Sequence, residues 1–346
     1  MNEEDGIMIN VAILGAGFMG RMHAECYHNL PNAKLMAIGD VDLNKAEELT
    51  KRYGVRAFSR PEELIEDQNI DLIDICLPTF LHKEYVIKAA QAGKQIICEK
   101  PIALTVEDAE EMVRAAERAK VKFMVAQVIR FWPEYVRLKE IYESKRLGRL
   151  LSISLTRLST LPTWSWNNWL LDSEKSGSAL IDLHIHDTDY LLYLLGRPSL
   201  IFSQGSRTEI GYGHIFTTFT FPQGTVAFVE GGWDIKADNF PFLMTFRAIF
   251  EEGVVEFNSS RDKTLSIYQR GKEVEYPALQ EELSASRDVG GNISQLGAYF
   301  SEIKYFVDCV ENDRPPAMAE ARSAKDSLEV VLMEKRSAET GEVIRF

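Results

Sequence analysis

No apolar run in this chain approaches the roughly 20 residues that span a bilayer, so its pattern holds no membrane-crossing helix. Cysteine is scarce. Cys26, Cys76, Cys98 and Cys309 are widely spaced and form no metal-type or redox-type pair, so we expect neither disulfides nor structural zinc. Positive charge is short as well: 39 Lys and Arg stand against 52 Asp and Glu, a net charge of -13. Phosphate backbones need a positive surface to displace their counterions, which excludes a nucleic-acid partner. The first ten residues, MNEEDGIMIN, lack the basic and apolar parts of a secretion signal, so the expected location is the cytoplasm. The chain also lacks internal repeats and low-complexity tracts.

What is present fits a globular protein of two domains: 346 residues, 45% hydrophobic and 26% charged. From Asn10 to about Ala126, short apolar runs (NVAIL, KLMAI, DLIDIC, QIIC, KFMVA) alternate with stretches whose apolar residues recur at three and four. Alternation of this kind predicts a doubly wound parallel sheet with helices on both faces, an α/β Rossmann-type domain over residues 1–126. After Gln127 the pattern changes. A helix at Pro133 to Ser144 leads into the runs HIFTTFTF, GTVAFVEGGW, FLMTFRAIF, GVVEF, TLSIY and KEVEY, joined by turn signals. These predict a second, α+β domain over residues 127–346 with a large open antiparallel sheet. Near its end, Ile293, Leu296, Phe300, Ile303, Phe306, Val307 and Val310 would share one helical face, and a further helix is expected around Ala319 to Ala338.

The first strand–helix junction reads NVAILGAGFMGRMHAECY, with Gly15, Gly17, Phe18, Met19 and Gly20 between the strand and its helix. Glycines at this spacing permit a tight turn, close approach of a pyrophosphate and close helix packing, while the helix N-terminus offers free N–H groups to the anion. The next strand ends in Asp40, whose carboxylate could accept both ribose hydroxyls and would repel a 2'-phosphate. NAD is thus favoured, with NADP still open through Arg21, Asn44 or Lys45. Ligands of open parallel sheets bind beyond the carboxyl ends of the strands. Pro78, Thr79 and His82 follow one such end, and Glu99, Lys100 and Pro101 follow another. Either isomer of the Lys100–Pro101 bond is open.

A second concentration of chemistry lies in GSALIDLHIHDTDYLLYLL, residues 177–195. On a helix that is apolar around most of its circumference, Asp182, His186, Asp189 and Tyr193 would stand in one narrow row. A narrow row of short titratable groups predicts a lined cavity more than a solvated face, which would be broader and rich in Lys and Glu. Histidine titrates near neutrality, so His186 is the candidate general base for a carbinol proton. Lys100 would hydrogen-bond the same oxygen, and Asp182 would orient His186 or bind a neighbouring hydroxyl. For the substrate, RLSTLPTWSWNNWLLD offers Arg157, Trp166 and Asn167, with Trp164, Asn168 and Trp169 beside them. Arg130 after the last strand of the first domain is a further candidate, as is His184.

Together, GAGFMG, EKP, the arginine of IRFWPEY, and SGSALIDLHIHDTDYLLYLLG resemble the glucose-fructose oxidoreductase, inositol dehydrogenase and rhizopine-catabolism family, Gfo/Idh/MocA, over nearly the whole chain in order. The resemblance implies a Rossmann domain followed by an open antiparallel sheet that supports homodimers or homotetramers. It also implies Lys100, Asp182 and His186 as the catalytic set. His184 departs from a small residue frequent in relatives. The implied activity is an NAD(P)-dependent oxidoreductase acting on CH–OH groups of a sugar, sugar derivative or cyclitol. Two alternatives share the fold: a non-catalytic dinucleotide-binding sensor, and a glycosidase-like enzyme that recycles NAD.

Overall fold

The computed structural model describes residues 8–279 and 296–346. They divide into two compact units, one of residues 8–128 with 296–325, the other of residues 129–279 with 326–346. The first change of unit lies two residues beyond the boundary expected at 126, while the helix around residue 300 joins the first unit. Ile293, expected on that helix, lies outside the described residues.

In the first unit, strands β1 (Ile9–Leu14), β2 (Ala33–Gly39), β3 (Arg56–Phe58), β4 (Leu72–Ile75), β5 (Gln95–Glu99) and β6 (Phe123–Ala126) form a parallel sheet in the order β3-β2-β1-β4-β5-β6. β4 is buried throughout, as strands covered on both faces must be. Helices α1 (Phe18–His28), α2 (Leu43–Tyr53), α3 (Pro61–Glu66), α4 (Thr79–Gln91) and α5 (Val106–Ala119) connect the strands. α5 shows how locally these are specified. Thr105 caps it by accepting the Asp108 N–H, acids occupy its first turn, and Ala109, Met112, Val113 and Ala116 form its buried stripe. β3 and α3 carry too few residues to show a periodicity and were not expected.

In the second unit, α6 (Pro133–Ser144) precedes β7 (Leu150–Thr160), α7 (Ser173–Ser176), α8 (Ile185–Leu195) and β8 (Leu200–Thr208). Strands β9 (Gly211–Thr220), β10 (Val226–Ile235), β11 (Leu243–Phe250), β12 (Gly253–Asn258), β13 (Leu265–Gln269) and β14 (Ile344–Arg345) complete the sheet in the order β13-β12-β11-β7-β10-β9-β8-β14. All neighbours are antiparallel except β7 and β10, which run parallel. The large antiparallel sheet expected is present, with one parallel pair in it, because β10 inserts beside β7 only after a long excursion through α8 and a hairpin. β8 escaped the sequence pattern because its second half, Gln204–Thr208, is exposed and polar. The expected strand at KEVEY contributes only an isolated bridge between Glu275 and Ile267. The helices α9 (Gly297–Glu311) and α10 (Ala321–Thr340) close the chain. α9 buries Leu296, Phe300, Ile303, Phe306 and Val307 of the face its spacing predicts, leaves Val310 of that face half-buried, and packs on α1 and β1. Among the described residues no helix is long and apolar enough to cross a membrane.

Candidate active site

In the first unit the glycines divide the work of a dinucleotide loop. Gly15 has φ +104°, and a Cβ there would lie 2.4 Å from the Cys76 carbonyl oxygen. Gly20 on the first turn of α1 lies so close to the loop that a Cβ would come within 1.9 Å of the Gly15 oxygen. At Gly17, by contrast, a Cβ would meet no protein atom within 4 Å, and the residue is exposed as the N-cap of a helix with no side-chain cap. That open face, flanked by half-buried Phe18 and Met19, is the cradle a pyrophosphate needs. Asp40 sits at the end of β2 with Oδ2 on the Ala16 N–H and Oδ1 on the Asp42 N–H, both at 2.8 Å. Each oxygen keeps a second lone pair for a hydroxyl, so the residues present fit NAD.

At the ends of β4 and β5 the candidates are less uniform. Pro78 and Lys100 are partly accessible, while Thr79 is buried at the start of α4. His82, expected to touch the cofactor, is instead a buried strut. Nδ1 lies 2.9 Å from the Pro101 oxygen and Nε2 2.8 Å from the Leu77 oxygen, tying the two strand ends together. Burial outweighs these carbonyls and holds the ring below the ordinary histidine range, so it is neutral and donates to one carbonyl at a time. Glu99 is also turned inward, with Oε2 on the Lys100 N–H at 3.1 Å, and the Lys100–Pro101 bond is cis. Among the described residues, His23, Asp74 and Cys76 alone bring metal-type donors within 4.8 Å of one another. Their separations of 2.8 to 3.4 Å are those of hydrogen bonds, and we assign no metal to them.

In the second unit, residues Leu180–His184 form a π-helical turn that runs directly into α8. From Ser178 to Leu191, Asp182 and His186 alone keep solvent access; every other residue is buried. The expected row is therefore shorter than its spacing suggests. Asp189 is fully buried and held by Arg130 through two bonds, Nε to Oδ2 at 2.8 Å and Nη2 to Oδ1 at 2.6 Å, with Ser327 Oγ on Oδ1 at 2.7 Å. The same guanidinium lies 4.9 Å from the centre of the Tyr193 ring. Arg130, 3% exposed, thus serves the packing of α8 and is corrected as a substrate ligand.

Arg157 and His184 are corrected on the same ground. Arg157, 1% exposed on β7, forks onto Asp187 with both bonds at 2.8 Å and also donates to Tyr135 Oη. His184 faces the sheet, where its Nε2 lies 2.7 Å from Glu334 Oε2 and its ring leaves no room for a Cβ on Gly231. Glu334 is the hub of this group, accepting also from Thr188 and Thr217 at 2.7 and 2.6 Å. Asp187 and Glu334 were not singled out from the sequence, and only their pairing partners mark them.

The tryptophan loop splits as well. Trp169 packs against the core of Leu170, Ala179, Leu183 and Trp233, whereas Trp164 and Trp166 are 66% and 44% exposed. Asn167 and Asn168 stand exposed beside them in the left-handed region, φ 49° and 53°. An exposed indole beside amides can take the C–H face and the hydroxyls of a polyol together.

Residues 9–127 match the family model described as the oxidoreductase family, NAD-binding Rossmann fold, and residues 135–256 match the Gfo/Idh/MocA C-terminal domain. A myo-inositol 2-dehydrogenase of Thermotoga maritima is 28% identical, the match covering 97% of this chain and 100% of that protein. A levoglucosan dehydrogenase of Pseudarthrobacter phenanthrenivorans is 30% identical over 75% of this chain and 76% of that one. The solved structure of a levoglucosan dehydrogenase in complex with NADH has a TM-score of 0.83 at 25% identity, covering 97% of this chain and 98% of that chain. The glycine cradle, the strand order and these matches agree: the chain belongs to the Gfo/Idh/MocA family of oxidoreductases, with its NAD-binding Rossmann fold.

Proposed function

We propose that the protein is an NAD-dependent dehydrogenase of a sugar, sugar derivative or cyclitol, with Lys100, Asp182 and His186 as its catalytic residues. The observation that carries this reading is the selective access of Asp182 and His186 within Ser178–Leu191, where every other residue is buried. Bound nicotinamide supplies the hydride acceptor. His186 accepts the hydroxyl proton as the C–H bond breaks, since hydride loss from a carbinol requires that proton to leave. Lys100 donates to the same oxygen and stabilises its developing negative charge. Asp182 orients the imidazole or accepts from a neighbouring hydroxyl. Trp166 and Asn167 receive the polyol, and the relatives named for myo-inositol and levoglucosan support that class of substrate.

The test is NAD reduction, followed by absorbance, with a panel of inositols, aldoses, anhydrosugars and sugar acids. Turnover of one class, lost about 100-fold or more in Lys100→Ala and His186→Ala with NAD affinity kept, is the expected result. Tight NAD binding without turnover across the panel would reassign the protein as a sensor. Retention of three groups suited to proton transfer speaks against that alternative.

We further infer that the outer face of the eight-stranded sheet pairs with a second copy of the chain. Leu151, Phe216, Val226, Phe228 and Ile249 are each 40% exposed or more on adjacent strands, and the Phe216 and Phe228 rings stack at 6.0 Å. Light scattering of Phe228→Glu should show a smaller particle than the parent protein; equal masses would refute the assignment.

A further inference from the structure

Beneath the turn that presents Lys100 lies a group of polar side chains that the proposed reaction does not use. His23 on α1 and Asp74 in the middle of the parallel sheet are both fully buried. His23 Nδ1 lies 2.8 Å from Asp74 Oδ2, and the other Asp74 oxygen accepts from the Cys76 thiol at 3.3 Å. On its far side, His23 Nε2 lies 3.2 Å from Glu99 Oε1, an ion-pair contact without full hydrogen-bond alignment. The second Glu99 oxygen holds the Lys100 backbone N–H. An unbroken series of contacts therefore runs from β4, through an imidazole on α1, to the last residue of β5 and the backbone of Lys100.

An imidazole with a carboxylate at each nitrogen is suited to one protonation state, because only the cation has a proton on both sides. A neutral ring would set a lone pair against a carboxylate where water cannot enter. His82, some residues further on, is the counter-example: it faces two neutral carbonyls and is held neutral by burial.

We propose that His23 is a positioning residue for hydride transfer: as a cationic bridge between Asp74 and Glu99 it fixes the end of β5, and with it the backbone from which Lys100 acts. Burial is the largest single influence and opposes the charge on His23, but Asp74 and Cys76 beside it together outweigh burial and hold the ring well above the ordinary histidine range. The proposal rests on the reading of Lys100 as catalytic.

Two measurements on the full chain test it. The first is nitrogen NMR of histidine-labelled protein, with the His23 signals identified by their loss in His23→Gln. Both ring nitrogens should remain protonated from pH 6 to 8; a neutral ring at pH 7 would overturn the proposal. The second is steady-state kinetics of Asp74→Asn, which preserves shape and removes the charge. Its kcat should acquire a new dependence on pH, falling as pH rises through the lowered His23 value, while KM and NAD affinity stay within about threefold. His23→Gln should lose about 10-fold or more in kcat at every pH. Wild-type kcat and pH profile in both variants would overturn the positioning role. Lys100→Ala is assayed in parallel: full turnover there would place the failure in the catalytic reading of Lys100 and overturn the positioning role with it.

Discussion

Arg157 separates a structural reading from a substrate-binding one, because its sequence context suits both. The structure buries it completely, with both fork nitrogens on Asp187 and one on Tyr135 Oη at 3.2 Å. Tyr135 in turn packs edge-on against Tyr190, Phe246 and Phe257. Replacing Arg157 by Met keeps the volume of the stem and leaves Asp187 as an uncompensated carboxylate at 0% exposure. Breaking a buried pair from one side costs about 3–5 kcal/mol. At roughly 2–4 °C per kcal/mol for a cooperative unit of this size, the melting temperature should fall by about 6–20 °C. The double variant Arg157→Met with Asp187→Leu removes both charges and should recover most of that loss, since an apolar pair of similar volume is often as stable as the ion pair it replaces. Differential scanning calorimetry reads both changes, and steady-state kinetics should show kcat and KM altered no more in the double variant than its residual instability explains. A single variant with parental melting temperature and a KM raised tenfold would refute the reasoning and return Arg157 to the substrate.

Two more predictions use the same logic of position. Gly17→Ala should fold with a parental melting temperature, since its Cβ meets no protein atom, yet bind NAD more weakly by fluorescence titration. Gly20→Ala should instead be destabilised by more than about 1 kcal/mol, because backbone must move to admit its Cβ; equal behaviour of the two in unfolding and in titration would count against the cradle. For pH, the raised pKa of His23 sets the sign. Its contribution to stability is complete below the unfolded value of about 6.5 and is lost as pH rises through the folded value. The stability difference between parent and His23→Gln, from urea unfolding, should therefore shrink toward alkaline pH, and a difference that grows there would contradict the assigned charge.

Much of the first unit was legible because its rules are local. Glycine spacing, a strand of continuous apolar residues and an acid at the next strand end each depend on a few neighbours, and β1, α1, β2 and Asp40 lie where those rules put them. Strands β3 and β8 were missed for the converse reason: one is three residues long, and the other is polar along its exposed half. In the second unit the helix carrying the polar row was expected, but its π-helical first turn leaves no mark on side-chain periodicity.

The three aspartates of DLHIHDTD mark the boundary between the two kinds of information. Sequence by itself determined that titratable groups cluster on one apolar helix after a dinucleotide-binding domain, and so determined the family and the kind of chemistry. Tertiary structure alone decided their separate fates. Asp187 is neutralised by an arginine 30 residues away and Asp189 by one 59 residues away, His184 is held by a glutamate 150 residues away, and Asp182 and His186 keep access to solvent. The physical reason is that a charge can be buried only beside its counter-charge. Which counter-charge arrives depends on distant segments of the chain meeting in space, a relation that no local pattern records.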